Sequence, residues 1–189
     1  MATIILGSGS PRRRELLEKI GITEFVVSVP EVKETYPDTL SPAEIVKHLS
    51  AVKSCGIESG EDDIVITADT MVFLDDKRLG KPADGADALR MLTALQGRRH
   101  KVCTGVTVRR GETLLTEAEE TAVIFRAATE EELLSYIRSG EPMDKAGAYG
   151  IQGLGSLLVE GIEGDFFNVM GLPLLRLSRM LAQFGLQLL

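Results

Sequence analysis

Three sets of residues in this chain have types and spacings suited to chemistry on a polyanion. The first is Gly7-Ser8-Gly9-Ser10-Pro11-Arg12-Arg13-Arg14, which follows the apolar run Thr3-Ile4-Ile5-Leu6. Ser10-Pro11 reads as a helix start, because serine can accept from an orphan first-turn N–H and proline at the first helical position has no N–H to leave unsatisfied. The two glycines let the backbone turn sharply and come close to a ligand. Free N–H groups, the positive end of a helix dipole and a cluster of guanidinium groups then coincide, and together they attract phosphate. Three positive charges at a helix N-terminus oppose the dipole unless an anion offsets them. The plainer reading is a capped surface helix with solvated arginines. The loop is not a Walker A, since no Gly-Lys-Ser/Thr follows, nor the dinucleotide fingerprint, since Arg12 takes the third glycine position.

The second set centres on Asp69. The run Ile64-Val65-Ile66-Thr67-Ala68 has the nearly unbroken apolar character of a central strand buried on both faces. A carboxylate at the exit of such a strand is where open α/β sheets place their chemistry. Strand resumes at Met71-Leu74, and the turn is expected at Asp75-Asp76-Lys77. Lys81, in the rigid bend Gly80-Lys81-Pro82, can contact a phosphate, although a lone loop lysine is more often solvent-facing. Lys53 sits near the edge of a helical apolar stripe, from which it can snorkel or reach into a cleft. Glu31, just past the strand Phe25-Val29 and Pro30, is a candidate metal ligand; an exposed loop glutamate is more commonly just solvated. The third set is Asp144-Lys145-Ala146-Gly147-Ala148-Tyr149-Gly150-Ile151-Gln152-Gly153-Leu154-Gly155, with four glycines in nine residues. Such a backbone must approach something closely. His100 is general-base material, but a histidine at a strand start is more often structural.

The elements that would position these groups alternate between strand and helix, so the fold class is α/β. Helices are expected from Ser10-Pro11 to Ile20, from the capping box Ser41-Pro42-Ala43-Glu44, from Asp84 to Gly97, from Thr129 and Glu132 to Gly140, and over about Pro173 to Phe184. Two long strands, His100-Val108 and Thr113-Phe125, flank the Arg110-Gly111-Glu112 turn, and a further strand covers Leu157-Ile162.

The chain has 189 residues, of which 44% are hydrophobic and 26% charged, with a formal charge of -7. That length buries about 70% of the unfolded surface in one core, so a single domain over residues 1–189 is expected. The acidic balance, with no basic helix or stacking aromatics, argues against nucleic acid as a partner. No apolar run approaches the ~18 residues that span a bilayer, and no secretory leader is visible, so a cytoplasmic protein without membrane association is expected. Cys55 and Cys103 are too few for a disulfide framework and read as reduced core or near-core thiols.

In these residues the chain resembles the Maf family of nucleoside triphosphate pyrophosphatases. The resemblance is collinear from Ser8 to Pro173. It rests on Ser8-Gly9-Ser10-Pro11-Arg12-Arg13, Glu31, Lys53, Ala68-Asp69-Thr70, Gly80-Lys81-Pro82, His100 with Thr104, Asp144 to Gly153, and Asn168-Val169 with Gly171-Leu172-Pro173. It implies a mixed, strongly bent sheet flanked by helices around a central cleft, similar to the inosine triphosphate pyrophosphatase fold. It also implies hydrolysis of a nucleoside triphosphate between the α and β phosphates with a divalent metal, Mg²⁺ or Mn²⁺. The branch acting on dTTP, UTP and modified uridine triphosphates carries arginine, threonine and glutamine at three substrate-selecting positions, which are Arg13, Thr70 and Gln152 here. The 7-methyl-GTP branch has Asp-Gln in place of Asp69-Thr70, which disfavours it. One departure is Pro30, where many relatives carry an acid before the residue matching Glu31.

Under that resemblance Asp69 is the expected base and a metal ligand, and Glu31 shares the metal, since oxygen ligands suit hard cations. Ser8, Ser10, Arg12, Lys53 and Lys81 hold the triphosphate. Arg13, Thr70 and Gln152 read the base, and an amide such as Gln152 offers the donor and acceptors that a pyrimidine edge requires. A role in cell-division arrest and a homodimer are both compatible with the resemblance. A reading from another class is a nucleotide-sensing regulatory module without turnover, which has no need of Asp69 where it stands.

Overall fold

The computed structural model describes residues 2–75 and 77–189; Met1 and Asp76 lie outside the described residues, and with Asp76 the centre of the turn expected at Asp75-Asp76-Lys77. In chain order the strands are β1 (Ile4–Leu6), β2 (Val26–Val27), β3 (Ile64–Leu74), β4 (Lys77–Leu79), β5 (Arg99–Arg110), β6 (Thr113–Phe125) and β7 (Val159–Glu163). The α-helices are α1 (Pro11–Lys19), α2 (Pro42–Cys55), α3 (Gly85–Leu95), α4 (Glu130–Arg138), α5 (Phe166–Met170) and α6 (Leu174–Gln183). Among the described residues the strands make one mixed seven-stranded sheet of order β2-β1-β3-β5-β6-β7, with β4 paired to β3. The β1–β2 and β1–β3 pairs are parallel, while β3–β4 and β6–β7 are antiparallel. The α/β class read from the sequence is the observed one.

The chain divides into two compact units. The first comprises Met1–Asp69, Thr104–Glu119 and Gly171–Leu189; the second comprises Thr70–Cys103 and Glu120–Met170. Strands β3, β5 and β6 each contribute residues to both.

Within the first unit, α2 is drawn tightly to the sheet. A Cβ at Gly105 of β5 would lie 2.1 Å from the backbone oxygen of Val46, so only glycine lets strand and helix backbones meet there. A ladder of hydroxyls reinforces this contact. Thr67 of β3 donates to Ser50 O at 2.7 Å, Ser50 Oγ and Thr107 Oγ1 of β5 are bonded at 2.9 Å, and Thr107 Oγ1 meets Thr116 Oγ1 of β6 at 2.9 Å. The end of α2 is held by Arg109, whose Nη2 donates to Ser54 O at 3.1 Å and Ile57 O at 2.7 Å. A guanidinium at a helix C-terminus satisfies orphan carbonyls and complements the dipole.

The second unit has its own core, in which Val72, Leu92, Val102, Val123, Phe125, Leu133, Ala148 and Leu158 are buried together. Buried Asn168 of α5 donates to Val102 O at 3.0 Å and Thr121 Oγ1 at 2.9 Å, tying α5 to β5 and β6 inside this unit. Helices α2 and α4 begin with complete capping boxes, Ser41 with Glu44 and Thr129 with Glu132, as their sequences require.

Four local expectations need correction. The strand expected over Phe25-Val29 reduces to Val26–Val27, with Val26 and Val29 exposed, because β2 pairs with β1 alone at the sheet margin. β3 does not end at Asp69: eleven residues run unbroken from Ile64 to Leu74, so Asp69 lies inside the strand and not at its exit. Neither Asp69 nor Thr70 carries a backbone restriction that would stop a strand, and β4 pairs with the continuation at Val72, Phe73 and Leu74. Ser10 makes no side-chain cap to α1; the nearby hydroxyl that accepts a backbone N–H is Ser8 Oγ, from Ser10 N at 3.3 Å. Cys55 is exposed, whereas Cys103 is buried. The face of α2 toward the interior carries Ile45, Val46, Leu49, Ser50 and Ser54, which leaves Cys55 outward.

Candidate active site

In the first unit the structure gathers residues that the sequence spreads over more than sixty positions. β3 presents Asp69 and α2 presents Lys53 seven residues beyond Val46, the residue that packs against Gly105. Lys53 Nζ donates to Asp69 Oδ1 at 2.5 Å and also meets Glu34 Oε1 at 3.1 Å. The Lys53 and Asp69 side chains are nearly buried, at 15% and 8% exposure, while Glu34 is half exposed. Asp69 Oδ2 is buried and has no hydrogen-bond partner among the described residues. A carboxylate oxygen so placed is costly unless a hydrogen-bond donor or a cation meets it.

The Gly7 to Arg14 segment stands beside β3. Gly7 N donates to Ile66 O at 2.8 Å, and a Cβ on Gly7 would lie 2.4 Å from Thr67 Cγ2. Glycine is required here by the neighbouring strand, and neither Gly7 nor Gly9 takes a positive φ. Arg13 then folds back over the loop. Its Nη1 donates to Ser8 Oγ at 3.0 Å and its Nε to Gly171 O at 2.8 Å, so one guanidinium braces the loop against the residue that precedes Leu172-Pro173 and α6. Burial draws the Arg13 guanidinium down to about 10; Asp69 and Glu34 oppose this and Arg12 assists it. Arg13, Arg12, Asp69 and Glu34 therefore share one electrostatic neighbourhood. With Lys53, that neighbourhood holds three cations against two carboxylates, which suits a polyanionic ligand.

Of the residues singled out from sequence, Ser8, Arg12, Arg13, Lys53 and Asp69 thus converge in the first unit, and Ser10 stands in the same loop. Among the described residues no bond joins Glu31 to them; it is exposed on the segment after β2. Glu34 occupies the place beside Lys53, and sequence reasoning missed it because residues 33–40 read as a polar connection. Its only signal was a second acid three positions after Glu31. Among the described residues, no group of three or more histidine, cysteine or acidic side chains is placed to hold a metal ion.

Thr70, Lys81 and Gln152 belong to the second unit. Thr70 follows Asp69 on β3 and is half-buried, Lys81 is exposed in the segment after β4, and Gln152 is exposed in the glycine-rich segment. The close approach expected of that segment is met from within the protein. Gly147, with φ of 71°, packs against Val72 at 3.0 Å from its notional Cβ; the corresponding distance for Gly153 is 2.3 Å to the Glu141 carboxylate. Buried His100 bonds Tyr149 through Nε2 at 2.8 Å and stacks edge-on with Phe125, so it is a structural histidine. Burial pushes it down to about 4.

Comparison with known proteins gives the chain's relatives. A "dTTP/UTP pyrophosphatase" of Symbiobacterium thermophilum is 50% identical over 186 residues, covering 98% of this chain and 95% of that protein. One of Bacillus anthracis is 47% identical over 187 residues, covering 98% and 97%. A HAM1 protein from Coxiella burnetii shares the fold, with a TM-score of 0.52 at 14% identity over 97% of this chain and all of that one. The family model described as Maf-like protein matches residues 3–184. The chain belongs to the Maf-like family.

Proposed function

We propose that this chain is a nucleoside triphosphate pyrophosphatase acting on dTTP and UTP, and on modified pyrimidine nucleotides of the same shape. Water adds to the α phosphorus, the α–β anhydride bond breaks, and a nucleoside monophosphate and pyrophosphate leave. The observation that carries the chemistry is Asp69, whose Oδ1 is fixed by Lys53 while Oδ2 is buried and unpartnered. Its relatives' names, at 47–50% identity over nearly the whole chain, supply the substrate class.

In this reading Asp69 Oδ2 orients the attacking water and takes its proton, and Lys53 keeps the carboxylate from rotating. Ser8, Ser10 and Arg12, with the N-terminus of α1, hold the triphosphate, and Lys81 meets its charge. Arg13 braces the loop and, with Thr70 and Gln152, selects the base. The residues present fit a divalent cation held as Mg²⁺ commonly is, by one or two carboxylates with the remaining positions left to phosphate and water. The Asp69 carboxylate would be one ligand and Glu31 the second, with Glu34, held beside Asp69 by Lys53, the nearest alternative to Glu31. Bound there, such a cation would neutralise charge on the phosphate oxygens around the scissile bond.

The setting proposed is the cytoplasm, on free nucleotide. Among the described residues no helix is long and apolar enough to cross a membrane. Pyrophosphate release from a panel of nucleoside triphosphates with Mg²⁺ or Mn²⁺ tests the proposal: dTTP and UTP should lead, and Thr70→Gln should erode their advantage over GTP. Nucleotide binding without pyrophosphate release would transfer the reading to a sensor.

A further inference from the structure

Gln152 sits on a segment whose two shoulders are pinned by side chains from outside it. Tyr136 OH, on α4, accepts from Gly150 N at 3.1 Å. Glu141, just beyond α4, accepts from Leu154 N at 2.8 Å through Oε2 and from Gly155 N at 3.0 Å through Oε1. Tyr136 OH in turn donates to Glu141 Oε1 at 2.9 Å, closing the network, and Lys145 Nζ donates to Glu141 O at 2.6 Å. All these groups lie in the second unit. Resting on the base-reading role proposed above for Gln152, we propose that Glu141, with Tyr136, is a positioning residue that fixes the Gly150–Gly155 turn in the shape from which Gln152 discriminates bases.

The glycines of the turn are the imprint of this arrangement. A Cβ on Gly153 would lie 2.3 Å from Glu141 Oε2, and one on Gly155 would lie 2.6 Å from Tyr136 OH and 2.3 Å from Gly150 O. The backbone therefore closes on Glu141 and Tyr136 directly. Burial by itself would raise the Glu141 carboxyl, but the hydrogen bonds from Gly155, Leu154 and Tyr136 outweigh it and hold the group below the ordinary carboxylate range. An ionised carboxylate is the one side chain that offers acceptors alone to converging donors. Glutamine in its place would turn an NH₂ toward a backbone N–H and leave one donor opposed by another.

The test uses the full chain in four forms: wild type, Glu141→Gln, Gln152→Ala and the double variant. Steady-state hydrolysis of UTP and GTP is measured together with backbone amide exchange over residues 150–155. Loss of one charged acceptor should raise KM for UTP about ten-fold in Glu141→Gln while kcat stays within about two-fold. Exchange should quicken across the turn and not in α3 or β5. The double variant should be no worse than Gln152→Ala alone, because both changes act through one group. Tyr136→Phe, which removes the acceptor for Gly150 N, should shift KM in the same direction and serves if Glu141→Gln folds poorly. Unchanged KM and unchanged exchange in Glu141→Gln and Tyr136→Phe overturn the positioning role, as do losses that add in the double variant. If Gln152→Ala keeps the full preference for UTP while Glu141→Gln still loosens the turn, the base-reading role of Gln152 falls and the anchoring by Glu141 stands.

Discussion

Lys53 Nζ bonds only one oxygen of Asp69, Oδ1 at 2.5 Å, and leaves Oδ2 buried without a hydrogen-bond partner among the described residues. The ammonium therefore fixes the orientation of the carboxylate and leaves one lone-pair face open, which is what a general base or metal ligand needs. The same ammonium meets Glu34 at 3.1 Å, so Lys53 is the centre of a charge cluster, not a snorkelling side chain at a helix edge.

Replacing Lys53 by Met should lower kcat/KM for dTTP by about 10²-fold, the usual scale for removing one charged group that stabilises a transition state. Steady-state pyrophosphate release measures this. A loss under about two-fold would remove Lys53 from the chemistry.

Arg13→Lys keeps the charge but cannot bond Ser8 Oγ and Gly171 O from one planar group. KM for dTTP and UTP should rise about ten-fold, with a smaller change in kcat, because the loop loses its brace rather than its cation. Equal kinetics for arginine and lysine would show that charge alone matters.

Gly105→Ala places a methyl group 2.1 Å from Val46 O and 2.3 Å from Val46 C, both backbone atoms that cannot yield without moving α2. Stability should fall by about 1 to 3 kcal/mol, typical of overpacking at a close backbone contact. Because α2 carries Lys53, turnover should fall as well. Thermal unfolding and kcat, measured on one preparation, check both parts.

The site was legible in the sequence where chemistry depends on residue type at short range. The Gly7 to Arg14 loop, Asp69 and Lys53 are each conspicuous against an apolar strand or helix stripe, and the capping boxes at Ser41 and Thr129 mark their helices outright. What the sequence obscured depends on long-range packing. Glu34 lies in a polar stretch with no periodicity, and only the position of Lys53 reveals it. Gly7 and Gly153 suggested approach to a ligand, yet their missing Cβ atoms accommodate Thr67 and Glu141. The polar pair Asp69-Thr70 looked like a strand end because apolar runs flank it, whereas strand pairing carries β3 straight through. The buried hydroxyls of Ser50 and Thr107 bond each other and that of Thr67 donates to the Ser50 carbonyl, so polar residues occupy positions that a hydrophobic pattern would assign to the surface.

His100 makes stability depend on pH. Burial lowers its folded-state value to about 4 from the ordinary 6.5, so the folded protein favours the neutral ring. The contribution is fully present above about 6.5 and is lost as pH falls toward 4, because the unfolded chain binds the proton first. The span corresponds to something on the order of 3 kcal/mol. Urea unfolding at pH 7.5 and 4.5 should show a steeper loss for wild type than for His100→Gln, which keeps a polar partner for Tyr149 but cannot titrate. Parallel losses in the two proteins would assign the pH dependence to other groups.

The most direct measurement is pyrophosphate release from dTTP and UTP by wild type and Asp69→Asn, with Mg²⁺ or Mn²⁺ and again after chelation. The substitution preserves the shape of the side chain and removes the open carboxylate oxygen. Wild type should release pyrophosphate only when the divalent cation is present, and Asp69→Asn should retain nucleotide binding with turnover down by at least about 10²-fold. Undiminished release by Asp69→Asn would contradict the account.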